Sequence, residues 1–252
     1  MGFKVLSKIK IMAVEVKRLY NLGEGLAKEM TKKEILVLEE LLGSNKKIAT
    51  EIRKKLEEKG ILTINLLGSP GAGKTTLLER IAERLKTNYK MAVIEGDIET
   101  ERDAERIRAK GIPAWQIITG GACHLEAKMV GKIFSEIPAD LDFLFIENVG
   151  NLVCPASYDL GENIRCVLLS TPEGDDKPKK YPKAFATSDC LIITKVDLIP
   201  SVPFDFKQAE KEALEINPKL KTFITSPLKG SGIDEVLDYF VDSLRRLRQE
   251  NA

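Results

Sequence analysis

Long apolar runs are missing from this 252-residue chain: no stretch approaches the ~18 residues that a membrane-spanning helix needs. An excess of either charge is missing as well. Thirty-nine Lys and Arg face 38 Asp and Glu, a formal net charge of +1, which argues against a broad basic surface for nucleic acid. Cysteine is sparse: Cys123, Cys154, Cys166 and Cys190 are too few for a disulfide scaffold. Histidine occurs once, as His124, directly after Cys123. Gln is scarce while Lys and Glu abound, a balance seen in thermophile proteins. The basic, partly apolar start "MGFKVLSKIKIMAVEVKR" lacks the long apolar core and small-residue cleavage site of a signal peptide, and Met12 is a second candidate start. There is no internal repeat and no low-complexity linker.

The chain divides by pattern into residues 1–59 and 60–252. The first part is charged and helical. "KKEILVLEELL" (32–42) and "NKKIATEIRKKLEEKG" (45–60) read as two helices punctuated by Gly43 and Ser44. This extension is either a packing appendage or a dimer or partner surface. From residue 61 apolar runs alternate with helical stretches. Residues 61–67, 91–96, 115–120, 141–148, 164–170, 190–197 and 220–226 read as strands, and 232–250 as a closing amphipathic helix. Such alternation predicts an α/β fold: a mainly parallel seven-stranded sheet with helices on both faces. "TPEGDDKPKKYPKA" (171–184) reads as a long charged loop.

"GSPGAGKTT" (68–76) sits between the first strand and a helical pattern, and Gly68 to Thr75 satisfies G-x-x-x-x-G-K-[ST]. Gly68, Ser69, Pro70, Gly71, Ala72, Gly73, Lys74, Thr75 and Thr76 are therefore expected to cradle phosphates. Lys74 reaches the β- and γ-phosphates and the Thr75 hydroxyl binds Mg²⁺. With a nucleoside triphosphate as ligand, the few free thiols suit a reducing cytoplasm. "TKVD" (194–197) approximates the guanine signature N/T-K-x-D, with Thr194 at the usual Asn position. Asp197 would accept hydrogen bonds from guanine N1–H and the exocyclic amine, which adenine does not offer as a pair. The Lys195 stem would lie over the base. "TSPLKGSG" (225–232) resembles the loop where Ser226, Pro227 and Leu228 approach guanine O6. Asp97, where a strand meets a loop, and Glu147, in "FIENVGN", are candidates for Mg²⁺. Glu147 and Gly150 fit D/E-x-x-G, where the Gly150 N–H would sense the γ-phosphate. Either carboxylate could instead face solvent. Lys74 and Asp97 are the expected catalytic residues. Asp97 would orient the attacking water, with Asp103 or Glu147 next in line.

Cys123, His124 and Cys154 form a soft ligand set suited to Zn²⁺ or Ni²⁺. Their spacing is not a zinc finger's, and by itself it does not separate a metal site from core packing. Cys154 lies four residues past Gly150, so nucleotide state could move it. One chain supplies three ligands, and a closed site needs water or a second chain.

In this order "GSPGAGKTTLLE", "EGDIET", "CHLEAKMV", "IENVGNLVCPASYDLGE", "STPEGDDKP" and "TKVDL" closely resemble the HypB family of hydrogenase-maturation nickel-incorporation GTPases, over about residues 60–245. The resemblance implies a SIMIBI-class P-loop NTPase three-layer fold. It implies GTP hydrolysis coupled to nickel insertion into a [NiFe] hydrogenase. It carries the metal-ligand role to Cys123, His124 and Cys154, and implies a GTP-dependent homodimer that joins them from two chains. The implied partners are a nickel-binding accessory maturation protein and the hydrogenase large-subunit precursor. Two family features are missing: residues 1–60 hold no Cys for an N-terminal nickel motif, and no His-rich tract exists. A urease-type nickel GTPase, whose metal motif is Cys-Pro-His, and a nucleotide-gated metal-binding module with negligible turnover are the alternatives.

Overall fold

Each apolar run from residue 61 onward becomes a strand. β1 (Leu62–Gly68), β2 (Met91–Asp97), β3 (Ala114–Ile118), β4 (Phe143–Glu147), β5 (Ile164–Ser170), β6 (Cys190–Thr194) and β7 (Lys221–Ile224) form a sheet in the order β3-β2-β4-β1-β5-β6-β7. Every pairing is parallel. The central strands are buried along their whole length, which is why their sequences are nearly continuous apolar runs rather than alternating ones. The computed structural model describes residues 32–251, with side chains from residue 40. Residues 1–31 of the N-terminal extension, Met12 included, lie outside the described residues.

Helices cover both faces. α1 (Lys32–Glu57) and α4 (Ala127–Ile133) lie over one end of one face, where Ala49, Ile52 and Leu56 pack with Leu144 and Ile146. α6 (Pro182–Ala186) and α7 (Phe206–Ile216) continue that face through Phe185, Ala209 and Ala213. α2 (Lys74–Leu85), α3 (Arg102–Arg108) and α8 (Ile233–Glu250) cover the other, with Phe143, Phe145 and Phe240 buried between them. Each fully buried large side chain contributes roughly 1.5–3 kcal/mol. Among the described residues no helix is long and apolar enough to cross a membrane.

Two expectations are corrected. Gly43 and Ser44 do not divide the N-terminal pattern: α1 runs through them as one 26-residue helix. An interior Gly costs about 1 kcal/mol relative to Ala, which the burial of Ala49, Ile52, Leu56 and Asn45 outweighs. The charged stretch at 171–184 is not a loop. Ser170 and Glu173 form a capping box over a 3₁₀ turn, Thr171–Glu173, and α5 (Lys177–Lys180) and α6 follow. Pro178 and Pro182 stand in the first turns of these two helices, where a missing N–H costs nothing. Phe185 then anchors the segment in the core.

Because the sheet is all parallel, the carboxyl ends of β1, β2, β4 and β6 share one edge. Ligands bind at that edge in open α/β sheets. Ahead of β5 the chain makes another tight contact: Gly161, at φ 90°, lies against α1, and a Cβ there would come within 2.8 Å of Ile52 Cγ2 and 2.9 Å of the Ala49 carbonyl. We predict that Gly161→Ala lowers stability by roughly 1–3 kcal/mol, from the strained backbone and the displaced helix. Urea unfolding measures this, and an unchanged midpoint would show that α1 does not rest on this glycine.

Candidate nucleotide and metal sites

Gly71 (φ 75°) and Gly73 (φ 94°) take left-handed backbone that a side chain resists, and they curl the chain from β1 into α2. Gly73 caps α2, so first-turn N–H groups and the positive end of the helix dipole face the loop. Lys74 is buried and folds back over the loop. Its Nζ is 3.5 Å from the carbonyls of Gly68 and Ser69, and 3.8 Å from Glu147 Oε1. The Thr75 hydroxyl donates to the same Glu147 oxygen at 3.0 Å. The loop is held from the β6 side too: the Thr194 hydroxyl donates to the Ala72 carbonyl at 2.6 Å. An Asn is not needed there to brace the loop.

A cleft of about 470 Å³ opens at this edge. Of the residues expected from sequence, it brings together Pro70, Gly71, Gly73, Lys74, Thr75, Thr76, Asp97, Glu147, Gly150 and Lys195. It also admits Asp103, Arg106 and Asn148. Glu95 stands in register with Glu147 on the neighbouring strand. Glu95 Oε1 and Glu147 Oε2 are both buried without a hydrogen-bond partner. Burial, then the charge of Glu147, pushes the Glu95 carboxyl well above the usual range. Burial also raises Glu147, against the pull of Lys74. Two unpartnered carboxylate oxygens beside a threonine hydroxyl are a donor set for a hard divalent cation. Asp97 differs. Burial works against its charge, but N–H groups of Glu99 and Thr100 at 2.9 and 2.7 Å outweigh it and hold its pKa below the ordinary value. Glu95, Arg106 and Asn148 escaped the sequence reading. Glu95 was visible only as a carboxylate two residues before Asp97. Arg106 bonds Glu79 at 2.7 Å and the Thr76 hydroxyl at 3.3 Å, pairings that no sequence spacing announces.

Asp197, Ser226, Pro227 and Leu228 do not line this cleft. They lie beside it, where β6 and β7 end. Lys195 has φ 60°, the one left-handed residue among the described ones that is not Gly, and it turns the chain into the 3₁₀ helix Val196–Ser201 that carries Asp197. Ser226 was expected against guanine O6. Its hydroxyl donates to Asp197 Oδ1, and its N–H goes to the Ser231 carbonyl at 3.0 Å. Ser226 thus orients the carboxylate. Arg80 holds the following turn through the carbonyls of Pro227 and Leu228, at 2.8 and 3.2 Å.

Cys123, His124 and Cys154 converge. One ligand atom from each lies within 4.8 Å of the others. The first two follow the Gly120–Gly121 turn after β3, and Cys154 opens the 3₁₀ turn Pro155–Ser157. The His124 ring stacks on Tyr158, centroids 3.9 Å apart, and its Nε2 is buried without a hydrogen-bond partner. Burial lowers the His124 pKa, which keeps the imidazole neutral and able to ligate. Burial, then the adjacent Cys123, pushes the Cys154 thiol up to about 11. A metal must therefore displace a proton there.

The two sites are mechanically joined. A Cβ on Gly150 would fall 2.9 Å from Pro70 Cα, so the segment after β4 lies directly on the phosphate loop. Gly68 and Asn151 form an antiparallel bridge one step further on. From there Asn151 Nδ2 reaches the Cys123 carbonyl at 3.4 Å. Asn148 Oδ1 accepts the N–H of Leu125 at 3.2 Å, just past His124.

The sequence pattern of the CobW/HypB/UreG nucleotide-binding domain matches residues 62–224. The hydrogenase/urease maturation factor HypB of Helicobacter hepaticus is 43% identical over 215 residues, covering 83% of this chain and 88% of that protein. The chain belongs to the HypB family. The hydrogenase maturation factor HypB of Escherichia coli K12 is 44% identical over 212 residues, covering 83% of this chain and 73% of that one. Among solved structures, HypB from Helicobacter pylori in complex with nickel superposes with TM-score 0.77 at 40% identity, over 81% of this chain and 96% of that one. HypB from Archaeoglobus fulgidus gives TM-score 0.75 at 39% identity, over 80% and 99%. The P-loop nucleotide-binding fold expected from the sequence is therefore the fold of this HypB-family chain.

The Gly150 contact generates a prediction. Gly150→Ala forces the P-loop backbone outward at Pro70, at a strain of roughly 1–3 kcal/mol, so nucleotide affinity falls about tenfold or more. Calorimetric titration of GDP measures it. Parent-like affinity would mean that the phosphate loop does not depend on this contact.

Proposed function

We propose that this HypB-family chain is a GTPase that delivers nickel to a [NiFe] hydrogenase during its maturation. Similar proteins named hydrogenase maturation factors, and a HypB structure solved with nickel, support the reading. The observation that carries it is the segment from Glu147 to Cys154. It has a cation-ready carboxylate at one end, a metal-ready thiol at the other, and Gly150 pressed on the phosphate loop between them.

In this reading residues 60–252 are the GTPase domain and residues 1–59 an extension. Gly68 to Thr76 hold the phosphates. Thr75 and Glu147, with Asp97 at the cleft edge, hold Mg²⁺, which neutralises phosphate charge when bound. Lys74 exchanges its contacts with Gly68 and Ser69 for the β- and γ-phosphates. Asp97, fixed through one oxygen by Glu99 and Thr100, orients the attacking water. Asp197 selects guanine, with Ser226 aiming it, Lys195 over the ring, and Pro227 and Leu228 bordering the base. Loss of the γ-phosphate frees the Gly150 N–H and relaxes the segment that ends at Cys154. Cys123, His124 and Cys154 hold Ni²⁺ as cargo, and Zn²⁺ suits the same donors. Three ligands leave a coordination position open, which a GTP-dependent homodimer fills by bringing two such sets together. The work is cytoplasmic. A nickel-binding accessory protein supplies the ion and the hydrogenase large-subunit precursor receives it.

Two measurements test the assignment. Asp197→Asn reverses the hydrogen-bond polarity toward the base. GTP affinity should drop roughly a hundredfold or more, from two charge-assisted bonds, while xanthosine nucleotides gain. GTP bound as by the parent would remove Asp197 from the base pocket. The second measurement is Ni²⁺ affinity with a GTP analogue and with GDP, alongside mass by light scattering. Linkage requires that if GTP tightens the metal site, metal tightens GTP by the same factor. A tighter, dimeric GTP state is expected, and a Cys123→Ala, Cys154→Ala double variant should lose the metal while keeping the nucleotide. Equal metal affinity and an unchanged monomer in both states would defeat the coupling, and absence of multiple-turnover phosphate release would favour a nucleotide-gated binding module.

A further inference from the structure

Helix α1 lies outside the residues matched by the family pattern, yet one of its side chains touches both metal-bearing segments. Asn45 is only 7% exposed. Its Nδ2 donates to the Asp159 carbonyl at 2.7 Å, and its Oδ1 accepts the Ala127 N–H at 2.8 Å. Asp159 follows Tyr158, the ring on which His124 stacks, and lies five residues past Cys154. Ala127 opens α4, three residues past His124. A single planar amide therefore spans two segments that are far apart in the chain, each with a ligand nearby. α1 secures the Asp159 side twice more: Arg53 pairs with the Asp159 carboxylate, and Gly161 fits against the Ala49 carbonyl. A buried side chain that uses both halves of its amide on two different backbone segments fixes their distance from each other.

We infer that Asn45 is a positioning residue for the metal site, setting the separation between the Cys123–His124 segment and the Cys154 segment. The inference rests on the reading that these three residues ligate the metal. Outer groups that orient ligands typically contribute 10–100-fold in metal affinity. The Asn45 amide does so through backbone rather than through a ligand side chain. Phosphate-loop residues are not among its direct partners, so its loss should disturb metal-free nucleotide binding far less than nickel binding.

The test uses the full chain and Ni²⁺ alone, titrated against a chromogenic chelator, with the thiolate-to-nickel absorption band recorded. GDP affinity is measured in metal-free protein. Asn45→Ala, and Asn45→Ser, whose hydroxyl cannot span both backbone groups, should weaken Ni²⁺ roughly tenfold to a hundredfold. They should also alter the band and leave GDP affinity within about twofold. Should the alanine variant not fold, the serine variant carries the test. Asn217→Ala is the control. That amide holds the Phe185 and Ser188 carbonyls elsewhere in the fold, and its loss should leave nickel affinity as in the parent. Parent-like Ni²⁺ binding in the Asn45 variants overturns the inference, as does a parallel fall of nickel and GDP affinity. Nickel retained by Cys123→Ala overturns the ligand reading and the inference with it. Nickel lost in Cys123→Ala but kept in both Asn45 variants overturns the inference alone.

Discussion

Backbone pressed on backbone at Pro70 and Gly150 is the constraint on which both sites depend. A P-loop has to leave its inner face free for phosphate, so it can be braced only from outside. Here the brace is the segment that leaves β4, admitted at this distance because Gly150 has no Cβ. The same segment makes a bridge between Asn151 and Gly68 and ends three residues on at a thiol. Packed backbone thus runs without a break from the phosphate loop to the loop that carries Cys154.

Electrostatics gives the nucleotide site a direction. Glu95, Glu147 and Asp103 outnumber Lys74 around a largely buried floor, and the two glutamates keep unpartnered oxygens. Buried like charges raise each other's pKa unless a cation arrives. The floor therefore favours an incoming divalent ion, while the glycine loop and the α2 terminus favour an incoming anion. A metal–nucleotide complex satisfies both at once. The cluster of Cys123, His124 and Cys154 follows a different logic. It is half-buried, neutral and soft, with a stacked imidazole and a thiol that burial keeps protonated. Such donors suit soft or borderline ions better than hard ones.

Much of this was legible in the chain. Seven apolar runs separated by helical stretches point to a covered, mainly parallel sheet, because crossover helices lie on both faces of such a sheet. The glycine loop carries its own geometry, since Gly71 and Gly73 occupy backbone that other residues resist. Gly43 and Ser44 look like a stop, and prolines at 178 and 182 look like loop, because local signals omit the core that Leu56 and Phe185 reach.

The sequence by itself determined the fold class, the phosphate loop and the chemical character of the candidate ligands, since each follows from residue type at short spacing. Tertiary structure alone decided which groups meet. Glu95 faces Glu147 because β2 and β4 are neighbours in register. Cys154 joins Cys123 and His124 across some thirty residues of chain. Ser226 meets Asp197 across 29 positions. Asn45 reaches Ala127 and Asp159 across 82 and 114 positions. Such contacts are set by packing between elements, where a single partner is chosen by distance and burial, and no local pattern encodes the choice.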